Sequence, residues 1–314
     1  MGRRNRWGIG LWLAALGLAW ISPGVAREPV DEATYRVFLE FYQYDRDLPL
    51  NAQVLEVRDQ GTFSVEKISF VSTHHETVYG YLILPKERPG PVSCVLFLHG
   101  YGGSKEDGLM AGALLAATGR ACLALDAQYH GDRKREGVDI YSPFLYRDRD
   151  ALIQTVVDWR RGIDYLETRP EIDPQRIGLI GGSMGAILGA VLTAVEPRVK
   201  VPVLVVGGAD WGLMAEKSQL EAGIRLREAR PNLDFDELAR ILAPVDPLHF
   251  AAHISPRPLL LQNGRFDNIV PVEANQRLYE VAREPKHIDW YDAGHDLPLD
   301  QVVPRITAWL DKYL

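Results

Sequence analysis

The sequence predicts an α/β fold, a largely parallel sheet covered by helices on both faces. Two observations carry this. Apolar runs of strand length at 93–99, 121–126, 177–180, 201–206 and 258–262 are nearly continuous, the pattern of strands buried on both faces. Segments of helical character separate most of them, so strand and helix alternate as in successive βαβ units.

The chain opens with a segment that lies outside this fold. Arg3, Arg4 and Arg6 precede an apolar, uncharged stretch over 7–21, and Pro23-Gly24-Val25-Ala26 supplies small residues where a signal peptidase cuts. Residues 1–26 therefore read as a signal peptide cleaved after Ala26, which predicts an exported protein, periplasmic or secreted. The stretch 7–26 is also just long enough to cross a bilayer, which leaves an uncleaved membrane anchor as the alternative. Its removal takes away three of the 35 basic residues and none of the 42 acidic ones, moving the formal charge from −7 to −10. Nucleic acid and anionic membrane surfaces both need clustered Lys and Arg, so neither is expected as a partner.

Residues 27–65 read as an N-terminal extension packing on the domain, with an amphipathic helix over 31–44 whose apolar face carries Phe38, Phe41 and Tyr42. Residues 66–314 suit one domain with a single core. Strands at 67–72 and 78–84 form an antiparallel pair joined across His74-His75. The strand 93–99, a helix over 109–118 ended by Gly119, the strand 121–126 and a long helix over 148–168 follow. Next come the strand 177–180, a helix over 186–195 and the strand 201–206. The strand 258–262, a helix over 271–282 with Pro271 at its first turn, the strand 287–291 and a helix over 304–314 complete the chain. Two stretches interrupt the alternation: a charged loop at 128–147 and a mostly helical insertion at 209–250. Both follow strands, at the end of the sheet where open α/β folds bind ligands, and the insertion reads as a cap.

The chemistry centres on Gly181-Gly182-Ser183-Met184-Gly185, a Gly-x-Ser-x-Gly pattern between an apolar strand and a small-residue helix. That context suits a nucleophile elbow, in which small neighbours let strand and helix approach beneath a serine in a tight turn. The plainer reading is a glycine-rich turn with a helix-capping serine. A serine hydroxyl needs a base to take its proton, and the base needs a carboxylate to orient it, in the chain order Ser, acid, His. Of His249, His253, His287 and His295, the last stands in a Gly-containing loop after the final strand and fits the base by position. Asp267, in the turn after strand 258–262, fits the acid. Asp210 is its rival, and Asp296 is too local to His295 to orient it. Charge developing on the substrate carbonyl needs N–H donors. Met184 supplies one, and Tyr101 in the loop His99-Gly100-Tyr101-Gly102-Gly103 the other, with His99 bonding the loop backbone. Trp211 and Met214, at the apolar start of the insertion, suit a substrate pocket, with Trp211 packed in the core as the alternative.

Cys94 and Cys122 both stand in apolar strand-like runs. They read as small buried side chains, with a disulfide as the alternative in an oxidising compartment. No Cys/His spacing suits zinc, so no metal site is expected.

The stretches 99–107, 126–133, the elbow at 181–185, 264–267 and Gly294-His295 stand in the right order between the right elements. With them the chain resembles the α/β-hydrolase superfamily, in its dienelactone-hydrolase-like and bacterial serine esterase branch, from about Ser69 to the C-terminus. The resemblance implies an eight-stranded, mostly parallel sheet with the insertion before its seventh strand, a triad of Ser183, His295 and Asp267, and no cofactor. Dienelactone hydrolases usually carry cysteine at the nucleophile, so their substrate does not transfer. The expected function is a serine hydrolase, a carboxylesterase on small to medium acyl esters, with a small-molecule ester as its partner. The alternatives are a peptidase of the prolyl-oligopeptidase catalytic-domain type, a polysaccharide deacetylase, an acyltransferase, or a non-catalytic binding protein of the same fold.

Overall fold

The computed structural model describes residues 27–87 and 89–314, and the expected signal peptide lies outside the described residues. Helix α1 (Glu32–Glu40) begins where the Asp31 side chain accepts the Thr34 N–H, and it ends earlier than the sequence suggests. Strands β1 (Gln53–Asp59), β2 (Phe63–Val71) and β3 (Thr77–Pro85) follow as an antiparallel meander. Then come β4 (Val92–Leu98), α2 (Gly108–Ala117), β5 (Ala121–Leu125), α3 (Leu145–Glu167), β6 (Ile172–Gly182), α4 (Met184–Val195) and β7 (Val199–Val205). The insertion carries α5 (Trp211–Lys217), α6 (Glu221–Ala229), α7 (Phe235–Leu242) and the single turn α8 (Pro247–Phe250). The chain closes with β8 (Leu259–Gly264), α9 (Val272–Val281), β9 (Lys286–Tyr291) and α10 (Leu299–Tyr313).

Among the described residues the sheet has nine strands, in the order β1-β2-β3-β5-β4-β6-β7-β8-β9, rather than the eight expected. β4 to β9 run parallel, and β3 joins them antiparallel to β5. The additional strand is β1, every residue of which is exposed. With no buried face it carries no hydrophobic alternation, the signal by which a strand is read from sequence. Counting it, the insertion precedes the eighth strand. β2 runs across position 65, so the N-terminal extension and the domain share one sheet.

The core lies on both faces of the sheet. On one, Leu96, Leu123 and Leu179 pack with Val156 and Ile163 of α3 and Leu188 of α4. On the other, Val95, Val203 and Leu260 pack with Leu115 of α2 and Trp309 and Leu310 of α10. Cys94 belongs to the first layer and Cys122 to the second, and both thiols are free and buried. Adjacent strands thus aim the two sulfurs to opposite sides.

The strand order also positions the site. β5 lies to one side of β4 and β6 to the other, so the loops leaving β4 and β6 emerge side by side at a topological switch point.

Candidate active site

Ser183 occupies the turn between β6 and α4 with φ 53° and ψ −117°, a backbone conformation that L-residues avoid. Such strain costs about 1–3 kcal/mol and persists where the surroundings impose it. Here they do: a Cβ on Gly181 would fall 2.3 Å from the Gly185 carbonyl oxygen, and one on Gly185 would fall 2.1 Å from that of Leu98. Only hydrogen at both positions lets α4 press against β6 and β4. The Ser183 N–H donates to the Val205 carbonyl at 2.9 Å, which fixes the turn from its other side.

His295 Nε2 lies 2.9 Å from Ser183 Oγ, and His295 Nδ1 lies 2.8 Å from Asp267 Oδ2. The Asp267 carboxylate is wholly buried, and its other oxygen accepts the N–H groups of Ile269 at 2.9 Å and Val270 at 3.0 Å. The turns that carry the two residues are bound together, since the Phe266 N–H donates to the Ala293 carbonyl at 3.0 Å. Bonding to the buried Asp267 places the imidazole proton on Nδ1 and leaves Nε2 free to accept from the serine.

The other sequence candidates have other partners. Asp210 caps α5 through the Leu213 N–H and pairs with Arg27 at 2.8 Å. Asp296 lines a separate polar groove beside Tyr291 and Gln301. His249 Nδ1 accepts the Val30 N–H at 3.2 Å, His253 stacks on Tyr35 at 3.7 Å, and His287 meets Asp289 at 2.8 Å.

The loop after β4 lies against the serine: a Cβ on Gly100 would sit 3.5 Å from that of Ser183. Among the described residues, no group accepts the N–H of Tyr101 or of Met184. The Tyr101 hydroxyl donates to Asp139 at 2.6 Å, and its ring stacks on Tyr141 at 5.0 Å. Burial, with Asp139 beside it, pushes the Tyr101 phenol up to about 12, so it stays a donor. His99 bonds the loop as expected, with Nδ1 on the Gly100 carbonyl at 2.8 Å and Nε2 accepting from Ala127 at 3.1 Å.

An apolar cavity opens on Ser183 beneath the insertion. Trp211 and Met214 line it, as do Leu238 and Leu242 from α7 and Tyr141 from the 128–147 loop. Trp211 is also part of the main core, with its indole N–H on the Val245 carbonyl at 3.2 Å. The sequence reading missed Tyr141, Leu238 and Leu242. The strongly one-sided pattern of α7 was visible, but nothing in it said which surface the apolar side would cover.

A strained serine, a histidine and a buried carboxylate in hydrogen-bonded series at the switch point of this sheet define a serine-type ester hydrolase with the α/β-hydrolase fold. The chain belongs to the acetyl xylan esterase (AXE1) family, whose signature matches residues 38–313. It is similar in fold to the acetyl xylan esterase from Paenibacillus sp. R4, with a TM-score of 0.78 and 21% identity over 92% of this chain and 97% of that one. It is likewise similar to acetyl xylan esterase 1 from Thermoanaerobacterium sp. JW/SL YS485, with a TM-score of 0.77 and 19% identity over 91% and 95% of the two chains. Esterase YjfP of Escherichia coli (strain K12) is 26% identical over 207 residues, 66% of this chain and 80% of its own length. The protein is thus a hydrolase that acts on small ester substrates. Among the described residues no helix is long and apolar enough to cross a membrane.

Proposed function

We propose that the protein is an exported carboxylesterase that cleaves small to medium acyl esters through an acyl-enzyme. Ser183 attacks the ester carbonyl while His295 takes its proton, and Asp267 holds the imidazole and stabilises its charged form. The N–H groups of Tyr101 and Met184 receive the charge that builds on the carbonyl oxygen. His295 then passes the proton to the departing alcohol, and later takes one from the water that releases the acid. The acyl chain lies in the cavity against Trp211 and Met214, with 209–250 as a cap over the 66–314 domain and 27–65 as an extension on its flank. No cofactor enters any step.

The observation that carries this reading is the continuous contact from Asp267 through His295 to Ser183, made where an apolar cavity opens on the serine. The family match favours a second reading within the same chemistry, the removal of acetyl groups from a polysaccharide. Labelling with a fluorophosphonate, followed by p-nitrophenyl esters of increasing chain length and acetylated xylan, tests both. Labelling at Ser183 and cleavage of the nitrophenyl esters is the expected result. Acetate release from xylan without cleavage beyond the acetyl ester would favour the second reading, and an unlabelled Ser183 would overturn both.

A further inference from the structure

Arg27 reaches two helices of the insertion at once. Its Nη1 meets Asp210, the cap of α5, at 2.8 Å, while its Nε and Nη2 meet Asp236, in the first turn of α7, at 2.9 and 2.6 Å. The guanidinium has a seat in the first turn of α5: a Cβ on Gly212 would lie 2.5 Å from Arg27 Cζ. The segment that carries Arg27 is itself tied down. The Arg27 carbonyl accepts from Arg277 of α9, Glu28 faces the same guanidinium at 3.5 Å, and the Val30 N–H donates to His249 of α8.

The two helices so joined pack on each other and both supply cavity wall, Trp211 and Met214 from α5, Leu238 and Leu242 from α7. Arg27 is not among the residues that line the cavity. We infer that Arg27 is a positioning residue for the acyl side of the site: by stapling α5 to α7 it sets how far the cavity wall can yield and so which acyl chains fit. This rests on the cavity being the acyl pocket. The Asp210 arm matters more than the Asp236 arm, because the Asp210 side chain is 7% exposed and that of Asp236 72% exposed. Exposed pairs contribute little on their own. Lysine cannot take over the role, since one ammonium lacks the planar fork that spans two carboxylates. Cleavage after Ala26 would leave Arg27 as the first residue of the mature chain, so the staple survives that processing.

The test compares kcat/KM for p-nitrophenyl acetate and p-nitrophenyl octanoate in the wild-type protein, Arg27→Gln, Arg27→Lys, Gly212→Ala and the Arg27→Gln/Gly212→Ala double variant. Hydrolysis of the acetate should persist. The octanoate-to-acetate ratio should rise roughly threefold to tenfold in each single variant, within the range that a changed hydrophobic pocket produces. The double variant should add nothing further, because both changes unseat the same guanidinium. An unchanged or lowered ratio, or equal losses on both esters that track a fall in Tm, overturns the proposal. Trp211→Ala separates the two levels. If it shifts the ratio while Arg27→Gln does not, only the staple falls; if it too leaves the ratio unchanged, the acyl-pocket reading falls with it.

Discussion

His130 accepts the Gly102 N–H on its Nε2 at 3.2 Å, and so ties the loop after β5 to the loop that carries Tyr101. Its Nδ1 lies 2.8 Å from the Gln128 carbonyl, which assigns the ring proton to that nitrogen. His99 makes the reciprocal tie to Ala127, and the two rings are 5.1 Å apart. Burial lowers the pKa of both imidazoles. Two neutral histidines therefore cross-brace the loops, and a proton on either acceptor nitrogen would set N–H against N–H.

His130→Ala should lower kcat about tenfold or more with little change in KM if, as proposed, the adjacent Tyr101 N–H receives charge that exists only in the transition state. Steady-state kinetics on p-nitrophenyl acetate check this. A rise in KM at constant kcat would show that the loop merely binds substrate.

Ser183→Ala should reduce turnover by about 10³-fold or more. Ser183→Gly should be equally inactive yet melt about 2–4 °C higher than the wild type, since glycine accepts the φ of 53° that serine bears under strain. Thermal denaturation of the purified variants decides it, and a Ser183→Gly protein that melts lower would mean the turn holds no strain worth releasing.

Asp267→Asn should cost roughly 10²–10⁴-fold in kcat, because an amide can donate to His295 and favour the wrong tautomer. Asp210→Asn should leave kcat on the acetate ester nearly unchanged and act instead through the Arg27 pair and the α5 cap. If Asp210→Asn proved the more damaging to kcat, the acid of the triad would have to be reassigned.

His249 makes acid stability measurable. Burial lowers its pKa from 6.5 to about 4, with Asp210 acting in the opposite sense. As the pH falls below about 6.5, the unfolded chain gains a proton that the folded one refuses, so stability is lost from there down to about 4. Asp246, pushed up to about 6 by burial, acts in the opposite direction over part of that range. A variant comparison isolates the histidine. His249→Asn keeps an acceptor for Val30 but does not titrate, so its Tm relative to the wild type should rise by at least about 2 °C between pH 7 and pH 4.5. A constant difference would assign the acid sensitivity elsewhere.

The sequence disclosed what depends on short-range pattern. The buried strands were visible as apolar runs, and Gly181 and Gly185 marked the close approach beneath Ser183. β1 was not visible, because Val54, Leu55 and Val57 are all largely exposed and the strand is defined only by its bonds to β2. Helix ends were legible to within a few residues, with Pro304 misleading: it stands inside α10, which starts at Leu299. The cavity was the least legible part. Its wall joins Tyr141, Trp211 and Leu238, residues far apart in the chain, and only tertiary packing brings them together.

The two cysteines give the folded protein an internal clock. Desolvation raises the pKa of the Cys94 thiol far above its ordinary value and pushes that of Cys122 up to about 12, so neither forms the nucleophilic thiolate while the sheet is intact. A thiol reagent therefore reports molecules that have opened their core, one layer through each sulfur. Unequal modification rates at Cys94 and Cys122 would reveal that the two faces of the sheet come apart separately, and equal rates that they open as one.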